Sequence, residues 1–69
     1  MARYCVNKNA QPNGDHEVHN LQTCNRLPEA IHRQDLGEHG SCRTAVTAAK
    51  IYYSQVNGCY YCSKECNTG

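Results

Sequence analysis

Cysteines place the first limit on this fold, because six of them occur in a chain of only 69 residues. Two stand three positions apart, as Cys59 and Cys62, and Cys66 follows close behind. Two thiolates at that spacing on a tight turn can both reach one tetrahedral ion. The segment 59–66 is therefore predicted to form a cysteine knuckle that supplies half of a metal site.

The other half of such a site must come from upstream. Cys24 with His19 or His16 is the compact cysteine and histidine group available there. Mixed thiolate and imidazole ligands without an open position suit a closed structural zinc site. The predicted ligands of one Zn²⁺ are His19, Cys24, Cys59 and Cys62, with Cys66 as the alternative fourth ligand.

The apolar residues are few for a chain of this size. Phe and Trp are absent, and five tyrosines supply all the aromatic surface. Ordering such a chain costs on the order of 100 kcal/mol of conformational entropy, which so small an apolar set hardly offsets. A low net charge of +1 argues against disorder. We expect one small domain over residues 1–69, held together by a metal or by covalent links.

The start of the chain and its charge bear on compartment and partners. No apolar run follows Met1, and no segment approaches the ~18 apolar residues of a membrane span, so we expect a cytoplasmic chain without membrane contact. Thiols stay reduced in that compartment, which favours metal binding over the alternative of three disulfides. The net charge is too small to favour one class of partner, so both a protein and a nucleic acid remain possible partners.

Residue patterns predict a small α+β fold. Residues 3–8 alternate as a strand, residues 11–15 contain the turn signals Pro12 and Asn13-Gly14, and residues 16–21 form the second arm of a hairpin. A short third strand is expected around residues 34–36. The expected sheet is therefore antiparallel with two or three strands.

One main helix is predicted at residues 42–55. Ser41 supplies an N-cap, and apolar residues follow it at helical spacing. Asn57-Gly58 tolerates the left-handed conformation that commonly ends a helix. This helix is expected to pack across the sheet, while the cysteine knuckle closes one end of the fold.

Several cysteines, histidines and tyrosines are better explained by structural roles than by functional ones. Cys5 and Cys42 are expected to be packed thiols of the core. His16-Glu17-Val18-His19 is one residue short of the metalloprotease motif, which also requires a helix. His32 and His39 are expected to be solvated surface side chains. The tyrosine pairs 52–53 and 60–61, near Lys50 and Lys64, can stack bases, but a core role is the preferred prediction.

Two functional classes follow from the cysteines. A site whose four ligands close a tetrahedron leaves no position for substrate, which favours a non-enzymatic binding or interaction module. The alternative is a thiol-based repair or redox factor that uses Cys62 or Cys66, with a pKa lowered by zinc. A thioredoxin-type pair lies at the start of a helix, whereas Cys59 and Cys62 follow one.

The order of elements from His19 to Cys62 resembles that of small bacterial zinc modules. The best-known member is the metal-binding domain of the adaptive-response DNA methyltransferase, which uses four cysteines, one of them a methyl acceptor. This chain has a histidine in its predicted set, so no methyl transfer is implied. More specifically, the blocks 14–19 (GDHEVH), 36–38 and 57–66 (NGCYYCSKEC) resemble short bacterial proteins of unknown function. That resemblance implies a bacterial source and a small α+β fold. A histidine commonly follows the last cysteine in that family, where this chain has Asn67.

Overall fold

A four-stranded sheet and one α-helix form the fold. The computed structural model describes residues 1–69, with strands β1 (Ala2–Asn7), β2 (His16–Asn20), β3 (Arg33–His39) and β4 (Val56–Gly58). Helix α1 spans Cys42–Ala49, and short 3₁₀ helices cover Ala30–His32 and Lys64–Cys66. The predicted α+β class with one main helix is confirmed. No helix has the length and apolar character needed to cross a lipid bilayer.

The sheet is mixed, with the strand order β3-β1-β2-β4. β1 pairs antiparallel with both β2 and β3, whereas β2 and β4 run parallel. The predicted antiparallel hairpin and the third strand around residues 34–36 are confirmed, but the prediction missed the fourth strand, β4, which is parallel to β2. β4 has only three residues, too few for an alternating pattern to show in the sequence.

The predicted hairpin joins β1 and β2. Its turn is closed by Gln11 N–H donating to the Asp15 carbonyl and Gly14 N–H donating to the Gln11 carbonyl, both at 2.8 Å. Gly14 has a φ of +95°, which glycine adopts at little cost. The turn chemistry therefore places His16 and the rest of β2 beside β1.

Helix α1 begins where the sequence predicts and ends earlier. Ser41 Oγ accepts a hydrogen bond from Arg43 N–H at 3.3 Å, which confirms the N-cap. The helix stops at Ala49 rather than residue 55, and Tyr52 N–H donates to the Ala49 carbonyl in a tighter turn. The physical reason is β4, because Val56–Gly58 must leave the helix axis to pair with β2.

The core lies between α1 and one face of the sheet. Its buried members are Tyr4, Val6, Val18, Cys42, Ala45 and Ala49. A disulfide joins Cys42 to Cys66, with their Cα atoms 6.2 Å apart. Cys42 is thus not the free packed thiol that was predicted, because the C-terminal 3₁₀ helix returns to the start of α1.

The tyrosines and one histidine also depart from their predictions. Tyr4 is buried, but Tyr52, Tyr60 and Tyr61 are 51%, 54% and 58% exposed, so these three do not form the core. They occupy turns that follow α1 and β4, outside both packed faces. His39 is half-buried instead of solvated, with Nδ1 2.9 Å from Thr44 Oγ1 and Nε2 2.8 Å from the Leu36 carbonyl oxygen.

Candidate metal centre

Strand β2 carries the first candidate ligand on the sheet face opposite α1. Val18 faces the helix core, so alternation along the strand directs His19 to the other face. Its cross-strand partner is Cys5 of β1. Both side chains are almost completely buried, with exposed fractions of 1% for His19 and 0% for Cys5. The second face of the sheet is therefore also covered by protein.

The turn after β2 returns the chain toward His19. The N–H groups of Thr23 and Cys24 both donate to the Asn20 carbonyl, at 3.4 and 3.0 Å. This turn places Cys24 Sγ 3.5 Å from His19 Nδ1. Arg26 N–H lies 3.4 Å from Cys24 Sγ and donates to it. This contact fixes the direction of the Cys24 side chain.

Because β4 pairs parallel with β2, the cysteine knuckle that follows β4 lies beside His19 and Cys24. Val18 pairs with Gly58, and Cys59 N–H donates to the Val18 carbonyl at 2.9 Å. Ser63 N–H then closes the knuckle on the Cys59 carbonyl, also at 2.9 Å. Cys62 Sγ accepts from Asn20 N–H at 3.3 Å. The end of β2 and the knuckle are therefore joined through backbone and sulfur.

These elements bring His19, Cys24, Cys59 and Cys62 together as one group that can hold a metal ion, with all four ligand atoms within 4.8 Å of one another. Cys24 Sγ is 3.9 Å from Cys59 Sγ, and Cys62 Sγ is 3.9 Å from His19 Nδ1. A tetrahedral zinc with Zn–S of about 2.3 Å and Zn–N of about 2.1 Å separates its sulfurs by roughly 3.8 Å, and sulfur from nitrogen by roughly 3.6 Å. The spacing of the group fits such an ion.

The other ring nitrogen of His19 has no hydrogen-bond partner, although it is fully buried. Glu17 Oε1 lies 3.8 Å from this Nε2 atom. A metal on Nδ1 leaves the proton on Nε2, where a carboxylate commonly accepts it. Burial, together with the nearby positive charge of Arg33, lowers the pKa of His19 to about 4. The ring is therefore neutral, which is the form that binds metal.

Burial also raises the pKa of the Cys62 thiol to about 12, and the hydrogen bond with Cys24 contributes in the same direction. Without a cation, three thiolates at these distances would repel one another. A dication reverses this balance, because three thiolates and a neutral imidazole around M²⁺ leave a net charge of only −1. The donor set thus has the chemistry of a site for a thiophilic divalent metal.

The structure separates the predicted residues into two groups. His19, Cys24, Cys59 and Cys62 lie together, whereas Cys66 is bonded to Cys42 and lies outside the group. His16, the other upstream histidine, stacks on Tyr53 with ring centroids 3.7 Å apart. The sequence analysis gave Glu17 no role beside His19. The alternation of β2 was the available signal, because Glu17 and His19 share a strand face.

No family model, curated protein or solved structure matches this chain. The resemblances to zinc modules and to short bacterial proteins therefore stay expectations. What is known of the site comes from its own geometry and donor atoms.

Proposed function

We propose that the chain binds one structural Zn²⁺ through His19 Nδ1 and the sulfurs of Cys24, Cys59 and Cys62, and that it acts as a non-enzymatic binding or interaction module. The observation that carries this proposal is the spacing of the four ligand atoms, all within 4.8 Å of one another. Three donor pairs, Cys24–His19, Cys24–Cys59 and Cys62–His19, are 3.5 to 3.9 Å apart, close to the edge lengths of a tetrahedron around a single zinc ion.

The donor set favours zinc among the divalent metals. Three soft sulfurs and one imidazole nitrogen suit its tetrahedral geometry, whereas magnesium and calcium prefer oxygen ligands. Backbone N–H groups of Asn20 and Arg26 already donate to the sulfurs of Cys62 and Cys24. Such outer contacts orient ligands before the metal arrives.

The composition of the fold supports a structural role for the metal. Only 12 of the 69 residues are buried, and the helix core contains just three large apolar side chains, Tyr4, Val6 and Val18. A structural zinc contributes about 10–16 kcal/mol of apparent binding free energy, which compensates for a small core. Without it, the opposite face of the sheet would hold the buried His19 and Cys59 and the half-buried Cys24 and Cys62 with little apolar packing.

The surroundings of the cysteines favour a binding role over thiol chemistry. Cys66 is engaged in a disulfide, so it is not a free nucleophile. Cys62 is only half-buried, but it belongs to the group of four donors and is held by Asn20 N–H. The molecule also has no pocket or cleft that would enclose a small substrate.

Metal analysis with thiol counting tests the proposal. We expect one zinc per chain by native mass spectrometry and elemental analysis, with four free thiols after denaturation in chelator, from Cys5, Cys24, Cys59 and Cys62. Co²⁺ in place of zinc should give the charge-transfer and d–d absorption of tetrahedral thiolate coordination.

A matched pair of variants completes the test. Cys59→Ser should lose the metal, whereas Cys5→Ala should retain it, because Cys5 is an equally buried cysteine outside the group of four. A wild-type chain without metal, or equal metal loss in both variants, contradicts the proposal.

A further inference from the structure

Two adjacent tyrosines project from the turn between the knuckle cysteines. Tyr60 and Tyr61 are 54% and 58% exposed. Their rings meet edge to face, with centroids 5.3 Å apart and an interplanar angle of 88°. The two rings contribute nothing to the core, and exposed apolar side chains that are grouped rather than scattered often mark an interaction site. Their exposure therefore calls for a functional explanation.

Each tyrosine is accompanied by a cation. The Arg26 guanidinium lies over the Tyr61 ring at 4.0 Å from its centroid, and Lys64 Nζ lies 5.3 Å from the centroid of Tyr60. Neither cation has a carboxylate within ion-pair distance. The nearby Glu65 carboxylate is directed toward the disulfide, with Oε1 3.7 Å from Cys42 Sγ. We call Arg26, Tyr60, Tyr61 and Lys64 the tyrosine platform.

The platform is built on the segments that carry the candidate ligands. Tyr60 and Tyr61 lie between Cys59 and Cys62, and Lys64 follows two residues later. Arg26 comes from the other segment, and its N–H donates to Cys24 Sγ. An ion that joins Cys24 to the knuckle would therefore hold both halves of the platform in place, a step that rests on the proposed function.

We propose that the tyrosine platform binds single-stranded nucleic acid. Exposed bases stack on the rings of Tyr60 and Tyr61, and the phosphates between them pair with Arg26 and Lys64. Every base has a π face, so aromatic rings beside cations that have no carboxylate partner suit a single strand without requiring a particular sequence. Two cations without carboxylate partners beside two aromatic rings suit alternating phosphates and bases better than an apolar peptide segment.

Titration of a labelled oligonucleotide tests the proposal. Fluorescence anisotropy with a fluorescein-labelled oligothymidylate of about 12 nucleotides should show binding by the zinc-loaded chain. Tyr60→Ala and Tyr61→Ala should each weaken binding about 5- to 100-fold. Tyr52→Ala is the matched control, because Tyr52 is similarly exposed at 51% but lies outside the platform. It should leave the affinity unchanged.

Salt dependence separates phosphate contacts from stacking. Two phosphate contacts predict a slope of log K against log salt of about −1.4 for a single strand, and Arg26→Ala or Lys64→Ala should each reduce its magnitude by about 0.7. Lys50→Ala, at an exposed lysine outside the platform, should not change the slope.

The metal content of every variant is measured in the same samples. Three results with a zinc-loaded chain would overturn the platform proposal and leave the zinc proposal intact. They are no binding of the oligonucleotide, equal binding of a duplex, and displacement of the strand by an acidic peptide. A wild-type chain that takes up no zinc overturns the zinc proposal instead. Equal binding by the zinc-loaded chain and by the same chain after chelation contradicts the claim that the metal organises the platform. Equal losses for Tyr52→Ala and Tyr61→Ala would also contradict the platform.

Discussion

At the scale of single residues, the two ring nitrogens of His19 have different surroundings. Nδ1 lies 3.5 Å from Cys24 Sγ, among the candidate ligands, whereas Nε2 is buried and lacks a hydrogen bond. The 3.8 Å between Nε2 and Glu17 Oε1 is slightly too long for a hydrogen bond. A carboxylate in this position commonly accepts the second ring proton of a metal-binding histidine. Glu17 is thus placed to orient the imidazole.

We expect Glu17→Gln to weaken zinc binding about 10-fold, toward the low end of the 10- to 100-fold losses that follow removal of such partners. Glutamine keeps an acceptor oxygen but not the negative charge that makes imidazole a better ligand. Competition with a chromophoric chelator measures the affinity. Glu38→Gln, at an exposed position of β3, is the control and should match the wild type. Equal affinities for Glu17→Gln and the wild type would exclude the orienting role.

Cys5 is the cysteine that belongs neither to the disulfide nor to the group of four. Burial raises its pKa from 9.0 to about 11, while Arg33 acts in the opposite direction. The unfolded chain therefore loses this proton before the folded chain does. The resulting contribution to stability is complete below pH 9 and disappears as the pH rises toward 11.

The free energy of unfolding of the wild type should accordingly fall by roughly 1–2 kcal/mol more than that of Cys5→Ala between pH 8 and pH 10.5. Urea unfolding of the two metal-loaded proteins at both pH values measures the difference. Subtracting the variant removes the contributions of the other thiols, which both proteins share. Parallel pH profiles would show that Cys5 ionises as readily in the folded chain as in the unfolded one.

At the scale of elements, β4 is the strand that completes the site. Its three residues join the knuckle to β2, and Gly58 packs directly against the backbone of the C-terminal segment. A Cβ atom at Gly58 would lie 2.6 Å from the Ser63 carbonyl oxygen and 2.8 Å from Cys66 Cβ. Backbone at this distance cannot move aside without opening the knuckle.

Gly58→Ala should therefore destabilise the fold by about 3 kcal/mol, at the upper end of overpacking effects, and should also weaken zinc binding. Gly40→Ala is the matched control, because no heavy atom lies within 4 Å of a Cβ at that position. Denaturant unfolding and zinc competition on both variants check the expectation. A stable, zinc-binding Gly58→Ala protein would mean that β4 does not pack against the knuckle as described.

Local signals in the sequence predicted the elements that depend on local chemistry. The turn with Gly14 and the cap at Ser41 are determined by residues within a few positions, and both were predicted correctly. The end of α1 and the parallel strand β4 depend on contacts between segments some 40 residues apart, as between His16 and Val56. Periodicity within a single window does not contain that information.

The candidate ligands also show the difference between local signals and contacts between distant segments. The spacing of Cys59 and Cys62 indicated a metal site, and the geometry now places His19 and Cys24 beside them. The disulfide of Cys66 could not be predicted in the same way. Its partner Cys42 is 24 residues away, and cysteine pairing cannot be deduced from spacing. The exposure of Tyr60 and Tyr61 was not predicted. The absence of Phe and Trp from the chain favoured a core role for its tyrosines.

At the scale of the whole molecule, zinc bound as proposed would give the sheet two separate links, one on each face. The Cys42–Cys66 disulfide ties α1 to the C-terminal 3₁₀ helix. The group of four donors lies across the opposite face, around His19. Cys62 and Cys66 leave the same knuckle in different directions, so the C-terminal segment connects both links.

Removal of the disulfide should cost stability without loss of metal. The bond closes a loop of 24 residues, for which chain entropy predicts a contribution of about 3 kcal/mol. The double variant Cys42→Ala/Cys66→Ala should therefore unfold at lower denaturant concentration while it still contains one zinc per chain. Urea titration and elemental analysis measure the two properties. Loss of zinc in this variant would show that the two links are not separate.

Removal of the metal should have the larger effect, because it leaves the second face of the sheet without support. Domains of this kind are stable by only about 5–15 kcal/mol, and a structural zinc supplies about 10–16 kcal/mol of that balance. We expect chelation at neutral pH to unfold the chain even with the disulfide intact, with collapse of the amide dispersion in a ¹H–¹⁵N spectrum. The same chelator preloaded with zinc is the control, and added zinc should restore the spectrum. A well-dispersed spectrum from a chain shown to be metal-free would mean that the helix core and the Cys42–Cys66 disulfide suffice to hold the fold.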